Sequence, residues 1–144
     1  MAGTRLLMID DEEGFVAALG QRLTHRGITV LAAYSGEEGL RKLDENPDTD
    51  VVLLDVKMPG MDGVETLRRM RATHPLVEVI MLTGHATVET AIEGMRLGAF
   101  DYLKKPADIE ILVQKVQWAC KKRQEHQLKI AEAFGKELRG RLGR

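Results

Sequence analysis

Cysteine is almost missing from this chain: Cys120 is the only one in 144 residues. That scarcity excludes a disulfide framework and a cysteine-built zinc site, and it fits a reducing cytoplasm. Long apolar runs are missing as well. None approaches the roughly 20 residues of a membrane-spanning helix. Met1-Ala2-Gly3 leads straight into a strand pattern, with no signal-peptide arrangement. Excess charge of one sign is absent too. The formal net charge is -1, which gives no overall attraction for nucleic acid. There are no internal repeats and no low-complexity segments. What remains is a chain with 44% apolar and 30% charged residues, an ordinary soluble composition. It is long enough for one domain with a real core. The charge is unevenly spread: residues 121–144 hold 8 Lys and Arg against 3 Asp and Glu. The body is therefore acidic and the tail basic.

Strand and helix patterns alternate along the chain. Leu6-Leu7-Met8-Ile9 reads as a first strand, and Val16, Leu19 and Leu23 mark one face of a helix over about 11–26. Gly27 stands at the helix-stop position that glycine favours. Ile28 to Tyr34 reads as the second strand, and Ser35 with Glu38 forms a capping box for a short helix that Asn46-Pro47 ends. Val51-Val52-Leu53-Leu54 suits a strand buried on both faces. A helix follows from about Val64 to His74. The fourth strand is Val79 to Thr83, and Val88, Ala91, Ile92 and Met95 give the next helix an apolar stripe closed by Gly98. Phe100 to Leu103 is the fifth strand, before a last helix carrying Ile109, Leu112, Val113, Val116 and Cys120. Five such βα units predict a single doubly wound α/β domain, a parallel sheet with helices on both faces and right-handed crossovers. From Lys121 to Gln127 no residue is apolar, so packing on the core is expected to stop there. Leu128, Ala131, Phe134 and Leu138 form a second, weaker stripe.

The chemistry sits at the strand ends. The first strand runs into Asp10-Asp11, the third into Asp55, the fourth into Thr83 and the fifth into Lys104-Lys105-Pro106. In an open α/β sheet the carboxyl edge is where ligands bind. Three carboxylates brought together there repel one another unless a cation intervenes. A hard, all-oxygen set with room for water suits Mg²⁺, and a Lys from the fifth strand is a second neutraliser. A carboxylate can attack phosphorus to give an acyl phosphate, a reaction that depends on positioning and charge neutralisation. Thr83 can then donate to a phosphoryl oxygen. Spacing alone does not choose between Lys104 and Lys105, because adjacent strand residues face opposite sides. His85 stands where it can border the site; His25, His74 and His126 read as surface residues.

These motifs, "LLMIDDEEG", "LLDVKMPGMDG", "MLTGH" and "FDYLKKP", resemble those of CheY-like response-regulator receiver domains over about residues 4–124. The resemblance implies a flavodoxin-like (βα)5 fold with strand order 2-1-3-4-5. It implies Asp55 as phosphoacceptor, Asp11 as a direct Mg²⁺ ligand, Asp10 acting mainly through water, and the Lys57 carbonyl as a further ligand. It implies Thr83 as the switch hydroxyl, Tyr102 as the switch aromatic, and Lys105, directly before a cis Pro106, as the functional lysine. By the same resemblance the phosphoryl group comes from a sensor histidine kinase or a phosphotransfer protein. Output goes through the face built by the fourth helix, fifth strand and fifth helix. The chain is then not an enzyme beyond accepting its own phosphoryl group and losing it slowly. No direct nucleic-acid binding and no membrane association are expected.

Two other functions compete with this reading. A flavodoxin-type redox protein needs a hydroxyl- and glycine-rich phosphate loop where this chain has Asp10-Asp11-Glu12-Glu13. An aspartate-nucleophile phosphatase needs an acid two residues after Asp55, and Lys57 stands there. The expected organisation is a receiver over 1–124 and a basic tail or helix extension over 125–144. That tail is a frayed end or an interacting, possible homodimer-forming element. The receiver is expected to act alone on a protein partner or to belong to a larger activator. "TGHATVETAIEGMRLGAFDYLKKP" resembles nitrogen-regulation receivers, which usually precede ATPase-type activator domains.

Overall fold

The computed structural model describes residues 3–142. Strands β1 (Arg5–Ile9), β2 (Thr29–Ala33), β3 (Val51–Leu54), β4 (Glu78–Thr83) and β5 (Asp101–Lys104) alternate with helices α1 (Glu13–Thr24), α2 (Gly36–Glu45), α3 (Gly63–Thr73), α4 (Val88–Arg96) and α5 (Ile109–Leu142). The strands pair in parallel in the order β2-β1-β3-β4-β5, as expected. Successive strand side chains point to opposite faces, which splits the core in two. Leu6, Met8, Leu53, Ile80 and Leu82 pack under α1 and α5; Leu7, Ile9, Leu54, Val79 and Met81 pack under α2 and α3. Every residue of β3 and β4 is buried, the signature of a sheet covered on both sides.

Local chemistry sets the element ends. Ser35 accepts the Glu38 N–H at 3.1 Å, half of the expected box; Glu38 returns to the Tyr34 N–H at 2.6 Å rather than to Ser35. The reciprocal capping box belongs instead to Thr87 and Thr90 at the start of α4. Gly27 and Gly98 take positive φ, +82° and +96°, where other residues are strained. The sheet's amino edge is closed by a buried ion pair. Asp50 accepts from the Arg5 backbone N–H at 2.9 Å and from Arg123 at 3.0 Å.

Three expectations need correction. The apolar stripe of α4 does not face the core: Val88, Ile92 and Met95 are exposed, and Gly94 alone is buried in that helix. The helix lies so close to β4 that a Cβ on Gly94 would stand 2.5 Å from the Met81 sulfur. The smallest residue therefore marks the packed side. Core contact also does not stop at Lys121, because Arg123 is buried at 7% exposure, its charge neutralised by Asp50. Finally, His74 is half-buried, with Nε2 3.0 Å from an Asp44 carboxylate oxygen, whereas His25 and His126 are exposed as anticipated. Helix α5 runs unbroken for 34 residues, across the expected 124/125 boundary.

Candidate functional site

The carboxyl ends of β1, β3, β4 and β5 meet at one edge of the sheet. The backbone does much of the placing. Gly63, the first residue of α3, donates its N–H to the Val56 carbonyl at 2.7 Å. A Cβ at Gly63 would fall 2.0 Å from the Asp55 carbonyl oxygen, so only glycine lets α3 begin against the segment that carries Asp55. Asp62 caps that helix by accepting the Glu65 N–H at 2.9 Å, and Gly60 turns the loop with φ +75°.

Asp10, Asp11 and Asp55 come together: each offers a carboxylate oxygen, and these lie within 4.8 Å of one another. Asp10 and Asp55 are buried at 3% and 2% exposure, while Asp11 is open to solvent. Asp10 is fully engaged. One of its oxygens accepts the Glu12 N–H at 2.9 Å, the other the Lys105 ammonium at 2.7 Å. Asp55 accepts the Val56 N–H at 2.9 Å. Burial pushes the Asp55 carboxyl above its ordinary pKa; the Thr83 hydroxyl opposes this, Asp10 adds to it and Lys105 opposes it. Thr83 is fully buried, and its hydroxyl accepts the His85 N–H at 3.0 Å.

Of the two lysines, Lys105 is the one at the site. It is largely buried and bridges Asp10 and Glu12, at 2.7 and 2.9 Å, whereas Lys104 is exposed. Burial pulls its pKa down, but its bonds to Asp10 and Glu12 and the charges of Asp10 and Asp55 win, and the net shift is upward. Its ammonium also lies 4.0 Å from the centre of the Phe15 ring, a cation–π contact that walls the lysine from α1. The Lys105–Pro106 bond is cis, as expected. Tyr102 is half-buried, its hydroxyl 2.6 Å from that of Thr90. Beside the acids, an open cleft is lined by Val56, Lys57, Asp62, His85, Ala86, Thr87 and Thr90.

Phe15 and Thr90 belong to no motif that points to the site, and Glu12 stands in the sequence only as one of the four acids Asp10-Asp11-Glu12-Glu13. Thr90 was legible only as a threonine three residues after another on a helix start. Its contact with Tyr102 depends on how α4 lies over β5.

The chain matches the family described as response regulator receiver domain over residues 6–117. It is 38% identical to the transcriptional regulatory protein GlrR of Escherichia coli (strain K12) over 111 residues, 77% of this chain and 25% of that protein. It is 38% identical to the DNA-binding transcriptional regulator NtrC of Klebsiella pneumoniae over 120 residues, 83% of this chain and 25% of that protein. The chain thus spans about a quarter of the length of the curated relatives it matches. Among solved structures, a receiver domain protein from Clostridium thermocellum superposes with a TM-score of 0.80 at 38% identity, covering 86% of this chain and 98% of that one. A CheY-like receiver from Methanospirillum hungatei JF-1 gives 0.80 at 30% identity, covering 85% and 98%. With the fold, the acidic edge and these matches in agreement, the chain belongs to the response-regulator receiver family, the receiving component of two-component signal transduction.

Proposed function

We propose that Asp55 is the phosphoacceptor of this receiver. The observation that carries the reading is the convergence of Asp10, Asp11 and Asp55, oxygens within 4.8 Å, beside the ammonium of Lys105. The donor is a phosphohistidine on a sensor histidine kinase or phosphotransfer protein. An Asp55 carboxylate oxygen forms the new O–P bond, the P–N bond breaks, and the leaving imidazole takes up a proton. The open cleft beside Val56, Lys57 and His85 gives the donor its approach.

The donor set fits Mg²⁺: hard carboxylate oxygens, one of them on exposed Asp11, and the Lys57 carbonyl next to them in the chain. Asp11, Asp55 and the Lys57 carbonyl would hold the ion directly. Asp10, with both oxygens already engaged, would act through water. When bound, the ion supplies neutralisation of phosphoryl oxygen charge. Lys105 contributes a fixed positive charge held in place by Asp10, Glu12 and the Phe15 ring. Thr83 turns its hydroxyl from the His85 N–H to a phosphoryl oxygen. The space it leaves lets Tyr102 rotate inward, off Thr90, which alters the α4-β5-α5 face offered to partners. The phosphoryl group drives this only by its differential affinity for the two states.

No catalytic turnover is assigned beyond accepting and slowly losing the phosphoryl group. Residues 1–124 form the receiver and 125–144 its basic extension, acting in the cytoplasm. A second reading, that the receiver controls an attached transcriptional output domain, is favoured by curated relatives of which it spans a quarter.

The test is incubation with acetyl phosphate and Mg²⁺ followed by intact mass. The wild type gains one phosphoryl group and Asp55→Asn gains none while keeping its fold. Undiminished phosphorylation of Asp55→Asn overturns the assignment.

A further inference from the structure

Glu12 occupies the position before α1 from which a side chain can cap the helix. It makes no cap bond. Its carboxylate crosses instead to the end of β5 and accepts from the Lys105 ammonium at 2.9 Å. An ammonium has three donors, and this one is engaged on every side. Asp10 accepts from it at 2.7 Å, Glu12 accepts a second bond, and the Phe15 ring lies against it, 4.0 Å from ammonium to ring centre. A phosphoryl oxygen on Asp55 therefore bonds Lys105 only after one of these partners lets go. The three are not equal. Asp10 is buried at 3% exposure and pinned by the Glu12 backbone N–H at 2.9 Å. Phe15 packs against the core under α1 and α5. The Glu12 side chain is 60% exposed, so it exchanges Lys105 for water at little cost.

We propose that Glu12 is a displaceable latch on Lys105: at rest its carboxylate holds the hydrogen-bonding position that a phosphoryl oxygen takes when Asp55 is phosphorylated. This role rests on Asp55 being the phosphoacceptor, and it adds a competitor built into the same edge of the sheet. Like charge drives the exchange, because phosphoryl oxygens arriving beside Glu12 repel its carboxylate into solvent. Lys105 keeps Asp10 and the Phe15 ring, so it changes one partner without changing place. The competition slows phosphoryl uptake, and the latch recloses when the phosphoryl group leaves. Glu12 forms no bond to phosphorus. It acts through Lys105, as a positioning residue.

The test follows phosphorylation of the whole chain by acetyl phosphate at saturating Mg²⁺, read by intact mass. Glu12→Ala removes the latch and should raise the initial rate about two- to fivefold, the scale of an exposed ion pair. Glu12→Asp keeps the charge but is one methylene too short to hold Lys105, and it should speed the reaction similarly. If only Glu12→Ala is faster, plain repulsion of the anionic donor explains the gain and the latch is overturned. A spectroscopic arm uses wild type carrying carbon-13 glutamate. The Glu12 carboxylate signal, identified by its loss in Glu12→Ala, should move toward those of the exposed glutamates when beryllofluoride is added at constant Mg²⁺. An unmoved signal overturns the latch. A wild type phosphorylated as fast as both variants defeats the latch alone, whereas a wild type that takes up no phosphoryl group defeats the Asp55 reading and the latch with it.

Discussion

Arg123 is the residue whose loss should cost this fold most for its apparent position in a polar stretch of helix. Its guanidinium lies 3.0 Å from one Asp50 oxygen and 3.4 Å from the Pro47 carbonyl, and both charged residues are buried, at 7% and 6% exposure. Arg123→Ala leaves Asp50 with the Arg5 backbone N–H, at 2.9 Å, as its remaining partner. Breaking a buried pair by removing one member typically costs about 3–5 kcal/mol, mostly the penalty of the stranded charge. The lower end applies here, because a cavity lined by Asn46, Pro47, His74 and Gln127 opens beside Arg123 and admits water. A loss of about 3 kcal/mol, with a urea m-value near ~2 kcal/mol/M, lowers the unfolding midpoint by roughly 1.5 M. Equilibrium urea melts followed by circular dichroism measure it. Adding Asp50→Asn removes the stranded charge, so the double variant should lose less than the two single variants added together. A shift below about 0.3 M, or additive losses, would refute the claim that this pair ties α5 to the sheet's amino edge.

Glu78 is a buried carboxylate at the start of β4 with one oxygen lacking a hydrogen bond; burial raises its pKa despite Lys122, Arg71 and His126 nearby. An acid raised in the folded state is stabilising to remove at neutral pH. Glu78→Gln should therefore have a higher melting midpoint than wild type at pH 7, and the gap should close as pH falls through the raised value and then the ordinary one. A gap that persists in acid contradicts the assignment. Thr90→Val removes the hydroxyl partner of Tyr102, 2.6 Å away. It should destabilise by about 0.5–1.5 kcal/mol and shift the fluorine resonance of 3-fluorotyrosine at Tyr102 in unphosphorylated protein, with Tyr34 as internal control. An unmoved Tyr102 signal rules out Thr90 as its anchor. Gly63→Ala places a methyl 2.0 Å from the Asp55 carbonyl oxygen. It should cost about 1–3 kcal/mol and slow phosphorylation from acetyl phosphate, an effect that stopped-flow Trp118 fluorescence or intact mass can follow; an unchanged rate and midpoint would show that α3 yields freely.

The sequence alone determined the alternation of strands and helices, because period-two and near-four apolar patterns and the Gly and Pro stops are local properties. It also determined which residues stand at strand ends, and so the set Asp10, Asp11, Asp55 and Thr83 with one of Lys104 and Lys105, since a parallel sheet gathers all such ends at one edge; only the family resemblance chose Lys105 between the two lysines. Tertiary structure decided what depends on distance between elements. Whether an apolar stripe faces in or out is one such matter: α4 turns Gly94 to the sheet and leaves Ile92 outside because Met81 fills the space beneath. A charged residue becomes core when a carboxylate from another element meets it, as Asp50 meets Arg123 across 73 positions of sequence. The partners of Lys105 and Tyr102, namely Glu12 just before α1, Phe15 in α1 and Thr90 in α4, are set by the placement of those helices over the sheet, which no local pattern encodes. The bare face of the α5 extension belongs to the same class. Its residues are visible in the sequence, but only the point where the sheet ends makes them exposed.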